Sequence, residues 1–197
     1  MYKHFFKRII GFTGALLGVL LLSPIFIVVT IWLHFSNKGA GAFFYQERVG
    51  KGEKPFKIIK FKSMTDEKDA EGNLLPDAER LTKAGKFVRS TSIDELPQFF
   101  NVLIGNMSVV GPRPHMLRHT EIYGKLIDKY MVRHFYKPGI TGHAQVTGFR
   151  GETRELWQME ERIKRDIWYI ENWSIWLDLS IIWRTVLTIF VHDKHAY

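Results

Sequence analysis

The sequence predicts an α+β fold, mainly helical, with its amino-terminal segment held in a membrane. Three observations predict it. No Asp, Glu, Lys or Arg interrupts the stretch from Ile9 to Phe35. Near the other end, "RELWQMEERIKRDIWYI" sets Leu156, Met159, Ile163 and Ile167 on one helical stripe. Between them, "KPFKIIKFKSM" (Lys54 to Met64) reads as a short strand with lysines at Lys57, Lys60 and Lys62. At 197 residues the chain has room for one domain and at most one appendage. The absence of cysteine excludes disulfides and thiolate chemistry and fits a reducing, cytosol-facing location. A formal charge of +8 implies an anionic partner: nucleic acid, acidic lipid or a phosphorylated small molecule.

The apolar segment has the length to cross a bilayer, since a straight helix over Ile9 to Phe35 reaches roughly 40 Å. Ser23-Pro24 interrupts it, because proline removes an intrahelical donor and clashes with the preceding turn. Each arm alone would reach only about 20 Å and could dip into one leaflet and return. A serine hydroxyl beside the bend could satisfy a carbonyl that proline leaves bare. The flanks are basic on both sides, Lys3, Lys7 and Arg8 before and Lys38, Arg48, Lys51 and Lys54 after, which favours a hairpin with both ends cytoplasmic. Proline is also tolerated in spanning helices, and the residues alone favour a kinked span. Either way the chain is membrane-bound. Trp157, Trp168, Trp173, Trp176 and Trp183 crowd the last quarter, as headgroup-level residues or as ordinary core, and Trp32 closes the apolar segment. "SIWLDLSIIWRTVLTIFV" carries Asp178 and Arg184, so an interfacial or core helix suits it better than a second span.

The middle of the chain carries the chemistry. "TDEKDAEGNLLPDAERLTKAG" is a polar excursion, helical in part. In "RSTSIDELPQFFNVLIGNMSVVGPRP" (Arg89 to Pro114), Ser92 and Glu95 form a capping-box pattern ahead of an apolar run, although Pro97 fits better if Asp94 is the cap. Both registers put Asp94 and Glu95 in a first helical turn, where the dipole lowers carboxylate pKa values. Such a pair is commonly just a good helix start. Its company argues for more: Arg89 lies five residues upstream, Arg113 is fixed between Pro112 and Pro114, and Lys60 and Lys62 could add charge. Two carboxylates facing several cations are what a Mg²⁺-assisted phosphoryl site needs. Other patterns are weaker. His115 and His119 have ligand spacing without a third partner and read better as solvent-facing. "PGITG" (Pro138 to Gly142) permits close backbone approach, to a ligand or to another strand. There is no Walker A loop, no Gly-x-Gly-x-x-Gly, no Gly-x-Ser-x-Gly elbow and no nucleic-acid module.

"KFKSM", "RSTSIDELPQFFNVLIGNMSVVGPRP", "KPGITGHAQVTG" and "RDIWYIENWSIWLDL" resemble, in that order, the motifs of the bacterial sugar transferases, the monotopic phosphoglycosyl transferases that act on polyprenyl phosphate. The block from Gly148 to Leu179 looks most like the catalytic module of undecaprenyl-phosphate glucose phosphotransferases. The resemblance implies transfer of a sugar 1-phosphate from a UDP-sugar to undecaprenyl phosphate, with release of UMP. It implies that Asp94 is the nucleophile, Glu95 its partner, and Lys60, Arg89 and Arg113 the phosphate-binding cations. Mg²⁺ would lie at Asp94, and Asp166 would orient the network. It also implies that residues 1–36 form a re-entrant helix–break–helix around Ser23 and Pro24, reversing the preference for a span. Residues 37–197 would be a small compact cytosolic catalytic domain with amphipathic interfacial helices. The location implied is the bacterial inner membrane, with the site facing the cytoplasm, no nucleic-acid partner, and a homodimer as one outcome for the oligomeric state. His143 and Thr147 stand where the family commonly has tryptophan and asparagine. A non-catalytic scaffold binding anionic lipid, or a hydrolase of nucleotide sugars, is the competing reading; a UMP-release assay with and without undecaprenyl phosphate separates the three.

Overall fold

The structure is a computed structural model that describes residues 2–151 and 153–190. It opens with a helix, α1 (Tyr2–Ser36). An antiparallel hairpin follows, β1 (Phe43–Val49) and β2 (Pro55–Phe61), in register from Phe43 opposite Phe61 to Val49 opposite Pro55. The polar excursion folds as short bridges and one turn of helix, α2 (Asp77–Arg80). Then come α3 (Lys83–Ser90), a 3₁₀ turn at Ile93–Glu95, α4 (Gln98–Ile104) and β3 (Ser108–Val110). After α5 (Leu117–Leu126), β4 (Gly139–Thr141) returns parallel to β3. The chain closes with α6 (His143–Val146), α7 (Leu156–Glu171) and α8 (Ile175–Phe190). The β2 strand and the last two helices lie where the sequence puts them; β1 is additional.

α1 is apolar on every side yet lies along the folded body. One stripe of it is buried: Ala15, Phe26, Val29 and Leu33, joined by Gly18, whose close neighbour is Phe99. These positions recur at helical spacing, so a single face meets α3, α4 and β3, and through Phe26 against Phe61 also β2. The remaining faces expose Phe5, Ile9, Leu16, Leu21, Val28 and Phe35. Both ends are tied to the same body. At the start, Lys7 Nζ donates to Asp178 Oδ2 at 2.9 Å and to Tyr169 Oη, while Arg8 donates to the Val102 and Leu103 carbonyls at 2.7 and 3.2 Å. At the other end, the buried Asn37 donates to the Gly41 and Lys62 carbonyls at 2.9 and 2.8 Å.

Where two arms and a break are expected, α1 runs as one helix with Pro24 inside it. Proline deprives the carbonyl four residues back of its donor, here that of Leu20. Ser23 Oγ donates to that carbonyl at 2.8 Å. Close backbone approach sets the rest of the packing. A Cβ on Gly139 would lie 2.1 Å from the Gly111 nitrogen, and one on Gly142 would lie 2.3 Å from the Gly111 oxygen. The glycines of "PGITG" therefore serve strand-to-strand contact.

Candidate active site

The dyad sits in the 3₁₀ turn ahead of α4, not in its first turn. Ser92 adopts a left-handed conformation (φ 58°) and caps nothing, and Pro97 precedes α4 as its cap. Neither capping register that the sequence allows is used. Asp94 and Glu95 are instead buried, at 6% and 7% exposure. α4 is pinned to β2 through Asn101, which is itself buried: its Oδ1 accepts from Ile59 N at 2.9 Å and its Nδ2 donates to the Lys57 carbonyl at 2.8 Å. This clamp holds the dyad against the strand that carries Lys60.

Four charged side chains converge. Lys60 Nζ lies 2.8 Å from Glu95 Oε1 and 3.7 Å from Asp94 Oδ2. Arg113 grips Glu95 with both nitrogens, Nη2 to Oε1 at 2.6 Å and Nη1 to Oε2 at 3.2 Å. The planar fork matches a carboxylate, and a lysine there could not reproduce the grip. Arg89 stands beside the pair, its Nε donating to Ser63 Oγ at 2.8 Å. Lys62 does not join them: it donates to the Ala40 carbonyl at 3.0 Å and pairs with Asp66. Asp166 lies one layer behind. It pairs with Arg133 at 2.9 Å, and Arg133 donates to the Arg113 carbonyl. The loop that aims Arg113 is thereby held from below.

The two carboxylates titrate in opposite directions, where a first-turn placement predicts that both fall. Burial pushes Asp94 up to about 6, with Lys60 opposing it and the charge of Glu95 adding to it. Glu95 is just as buried, but Arg113 and Lys60 overcome that burial and hold it well below the usual carboxylate range. The difference is geometric. Glu95 spends both oxygens on cations, while Asp94 Oδ1 is buried with no hydrogen-bond partner.

His115, expected at the surface, is 4% exposed. It bonds Tyr130 Oη at 2.7 Å and lies against Arg133, and burial with that guanidinium holds it well below its usual value, so it is neutral. The cationic layer around it, Arg48, Arg133 and Arg162, was not legible in the sequence, nor was Asn101. These residues come from four separate segments, and nothing in their spacing announces that they meet. The tryptophans divide: Trp157, Trp168, Trp176 and Trp183 are exposed, whereas Trp173 packs on the core and bonds Asp178 at 3.0 Å. His143, where the resemblance leads one to expect tryptophan, stacks on Trp168 with ring centres 4.6 Å apart.

Mg²⁺ fits this donor set in one way. The described residues contain no cluster of three or more protein ligands for a metal ion. Asp94 Oδ1 offers one hard oxygen, and Mg²⁺ commonly takes one or two carboxylates and completes its shell with substrate phosphates and water.

The UDP-glucose:undecaprenyl-phosphate glucose-1-phosphate transferase of Klebsiella pneumoniae is 51% identical over 194 residues, and the protein of the same name from Escherichia coli (strain K12) is 46% identical over 193. These alignments cover 98% and 97% of this chain but 41% of each relative. The exopolysaccharide production protein PSS of Rhizobium leguminosarum bv. phaseoli is 38% identical over 194 residues, covering 95% of this chain and 96% of the relative. The family model described as bacterial sugar transferase matches residues 2–192. With that match running over nearly the whole chain and relatives up to 51% identical, this chain belongs to the bacterial sugar transferases.

Proposed function

We propose that the chain transfers a sugar 1-phosphate from a UDP-sugar to undecaprenyl phosphate through an intermediate on Asp94. One observation carries this reading: a buried aspartate with an unpartnered oxygen stands beside a glutamate fully engaged by two cations. Asp94 attacks the β-phosphorus of the donor. The bond from that phosphorus to the bridging oxygen breaks, and UMP leaves. An oxygen of the lipid phosphate then attacks the same phosphorus, the bond to Asp94 breaks, and the carboxylate is restored. A covalent step suits a soluble donor and a lipidic acceptor, which need not share the site at one time.

Each neighbour has a task. Glu95 holds Lys60 and Arg113 where the diphosphate oxygens would lie, and Arg89 adds positive charge from the side. Asp166, through Arg133, positions the Arg113 loop. Asp94 would hold Mg²⁺, which supplies charge neutralisation between carboxylate and diphosphate. With its pKa raised to about 6, Asp94 is ionised at neutral pH yet more basic than an ordinary aspartate, which favours attack on phosphorus.

The same reading extends to the membrane. α1 is long and apolar enough to cross a bilayer. With Lys7 and Asn37 both bound to one folded body, a helix lying against that body with its outer faces in one leaflet satisfies both ends; a perpendicular span satisfies one. The reading is therefore an anchor confined to one leaflet with both ends on the domain's side, carried by one helix rather than two arms, and with the domain at the inner leaflet of the cytoplasmic membrane.

The test is incubation of the purified chain with UDP-glucose, the donor for which two of the relatives are named, without acceptor. A phosphohexose on Asp94 and matching UMP are expected. Asp94→Asn should abolish both while leaving membrane association intact. Undiminished transfer by Asp94→Asn would sink the mechanism.

A further inference from the structure

An apolar groove of about 420 Å³ runs beside the dyad, between α1, α4, the β3–β4 pair and α8. That is within the roughly 300–1,000 Å³ range of ligand sites. Leu22, Phe99, Val109, Ile140, Ile182 and Val186 form its walls. The wall hydroxyls make no demand on a ligand: Thr141 and Thr185 bond each other at 2.6 Å, and Thr188 donates to the Thr185 carbonyl at 2.8 Å. The lining also holds a polar group. Ser92, Glu95, Gln145 and Arg150 belong to it; Arg150 Nη2 donates to Ser92 Oγ at 2.7 Å and Gln145 Nε2 to the Ile140 carbonyl at 3.3 Å. Among the described residues no carboxylate pairs with Arg150. The two helices on its flanks are themselves exposed and apolar elsewhere, at Leu179, Trp183 and Leu187 of α8 and Leu21 of α1.

A cavity that carries a guanidinium beside Glu95, the chain neighbour of the reacting Asp94, and apolar walls between two helices with exposed apolar faces suits one kind of molecule: an anionic head on a long hydrocarbon chain. A nucleotide sugar, polar throughout, does not suit it. We propose that this groove seats the phosphate-proximal isoprenoid units of the acceptor, and that Arg150 binds the acceptor phosphate. The proposal rests on the polyprenyl-phosphate reading above. An acceptor phosphate oxygen, ionised as the dianion above its second pKa of about 6, attacks the phosphorus carried by Asp94. The phosphorus–Asp94 bond breaks as the diphosphate forms, and no base is required.

The two half-reactions separate this inference from the reading beneath it. With UDP-glucose alone, Val186→Trp, which fills the groove, and Arg150→Ala should both form the Asp94 adduct as the wild type does. On addition of undecaprenyl phosphate, Val186→Trp should raise the acceptor KM about tenfold or more. Arg150→Ala should slow transfer about ten- to a hundredfold, the worth of a charge-assisted hydrogen bond. A polyprenyl phosphate with a diazirine on its first isoprene units should label Ile182 or Val186 in the wild type. Undiminished transfer in either variant overturns the proposal. So does joint loss of adduct formation and transfer in both, which would assign the groove to the donor or to the fold. Labelling that phosphatidylglycerol competes away as well as undecaprenyl phosphate does overturns it too, making the groove a slot for ordinary membrane lipid. A wild type that forms no adduct sinks the aspartyl mechanism instead, while the photolabel still reports on the groove.

Discussion

At Asp94 and Glu95, two neighbouring carboxylates of nearly equal burial are driven apart by what their oxygens touch. The sign of a pH effect follows. In the proposed reaction Asp94 attacks only when ionised, so single-turnover UMP release should rise with pH through a midpoint near 6 and level off above it. Lys60 is the strongest influence holding that value down, so Lys60→Met should move the midpoint upward as well as slow the step. A rate profile that keeps its midpoint in Lys60→Met would show that some other group is being titrated. Asp94, Glu95 and Arg113 could be read together in the sequence because the acids and the proline-flanked arginine stand in one short stretch, whereas Lys60 is set apart from Lys62 only by the family resemblance. The opposite titration of the two acids could not be read, since it depends on which oxygens Arg113 reaches across 18 residues.

Among the elements, the turn carrying the dyad is held by α4, and α4 is held by Asn101. Asn101→Ala leaves the Ile59 N–H and the Lys57 carbonyl without this partner, at a cost of about 1–3 kcal/mol. Thermal unfolding should show that loss, and adduct formation should slow with it, because the same clamp sets the distance from Lys60 to the dyad. Gly139 is stricter. With a Cβ 2.1 Å from the Gly111 nitrogen, Gly139→Ala should prevent β4 from pairing with β3, and little folded protein should be recovered by gel filtration. Helical periodicity exposed α7, an apolar run α8 and recurring lysines β2, because those elements are patterned within themselves. β1 was missed although "FFYQERV" is rich in aromatic residues; its partner is what makes it a strand. His115 was misplaced at the surface for a related reason, since its burial comes from Tyr130 and Arg133, on a segment that periodicity does not flag.

For the whole molecule, the apolar outside of α1 and the exposed tryptophans of α8 leave large apolar surfaces uncovered, while both ends of α1 return to the folded body. Single cysteines introduced near Lys3 and near Lys38 should both be shielded from an impermeant thiol reagent in intact cells and both react after lysis. Labelling of the Lys3 position alone in intact cells would restore a spanning helix. The sequence could not decide this, because length, hydropathy and a proline are shared by spans and hairpins; the contacts of Lys7 and Asn37 speak to it and leave no trace in local pattern. The Lys7–Asp178 pair joins residues 171 positions apart. On a ribosome the first is synthesised long before the second. During that interval the greasiest part of the polypeptide has neither its ion-pair partner nor its full bed of side chains, so early delivery to lipid or to a chaperone would protect the nascent chain from aggregation. Final docking of its front end must wait until translation has passed α8.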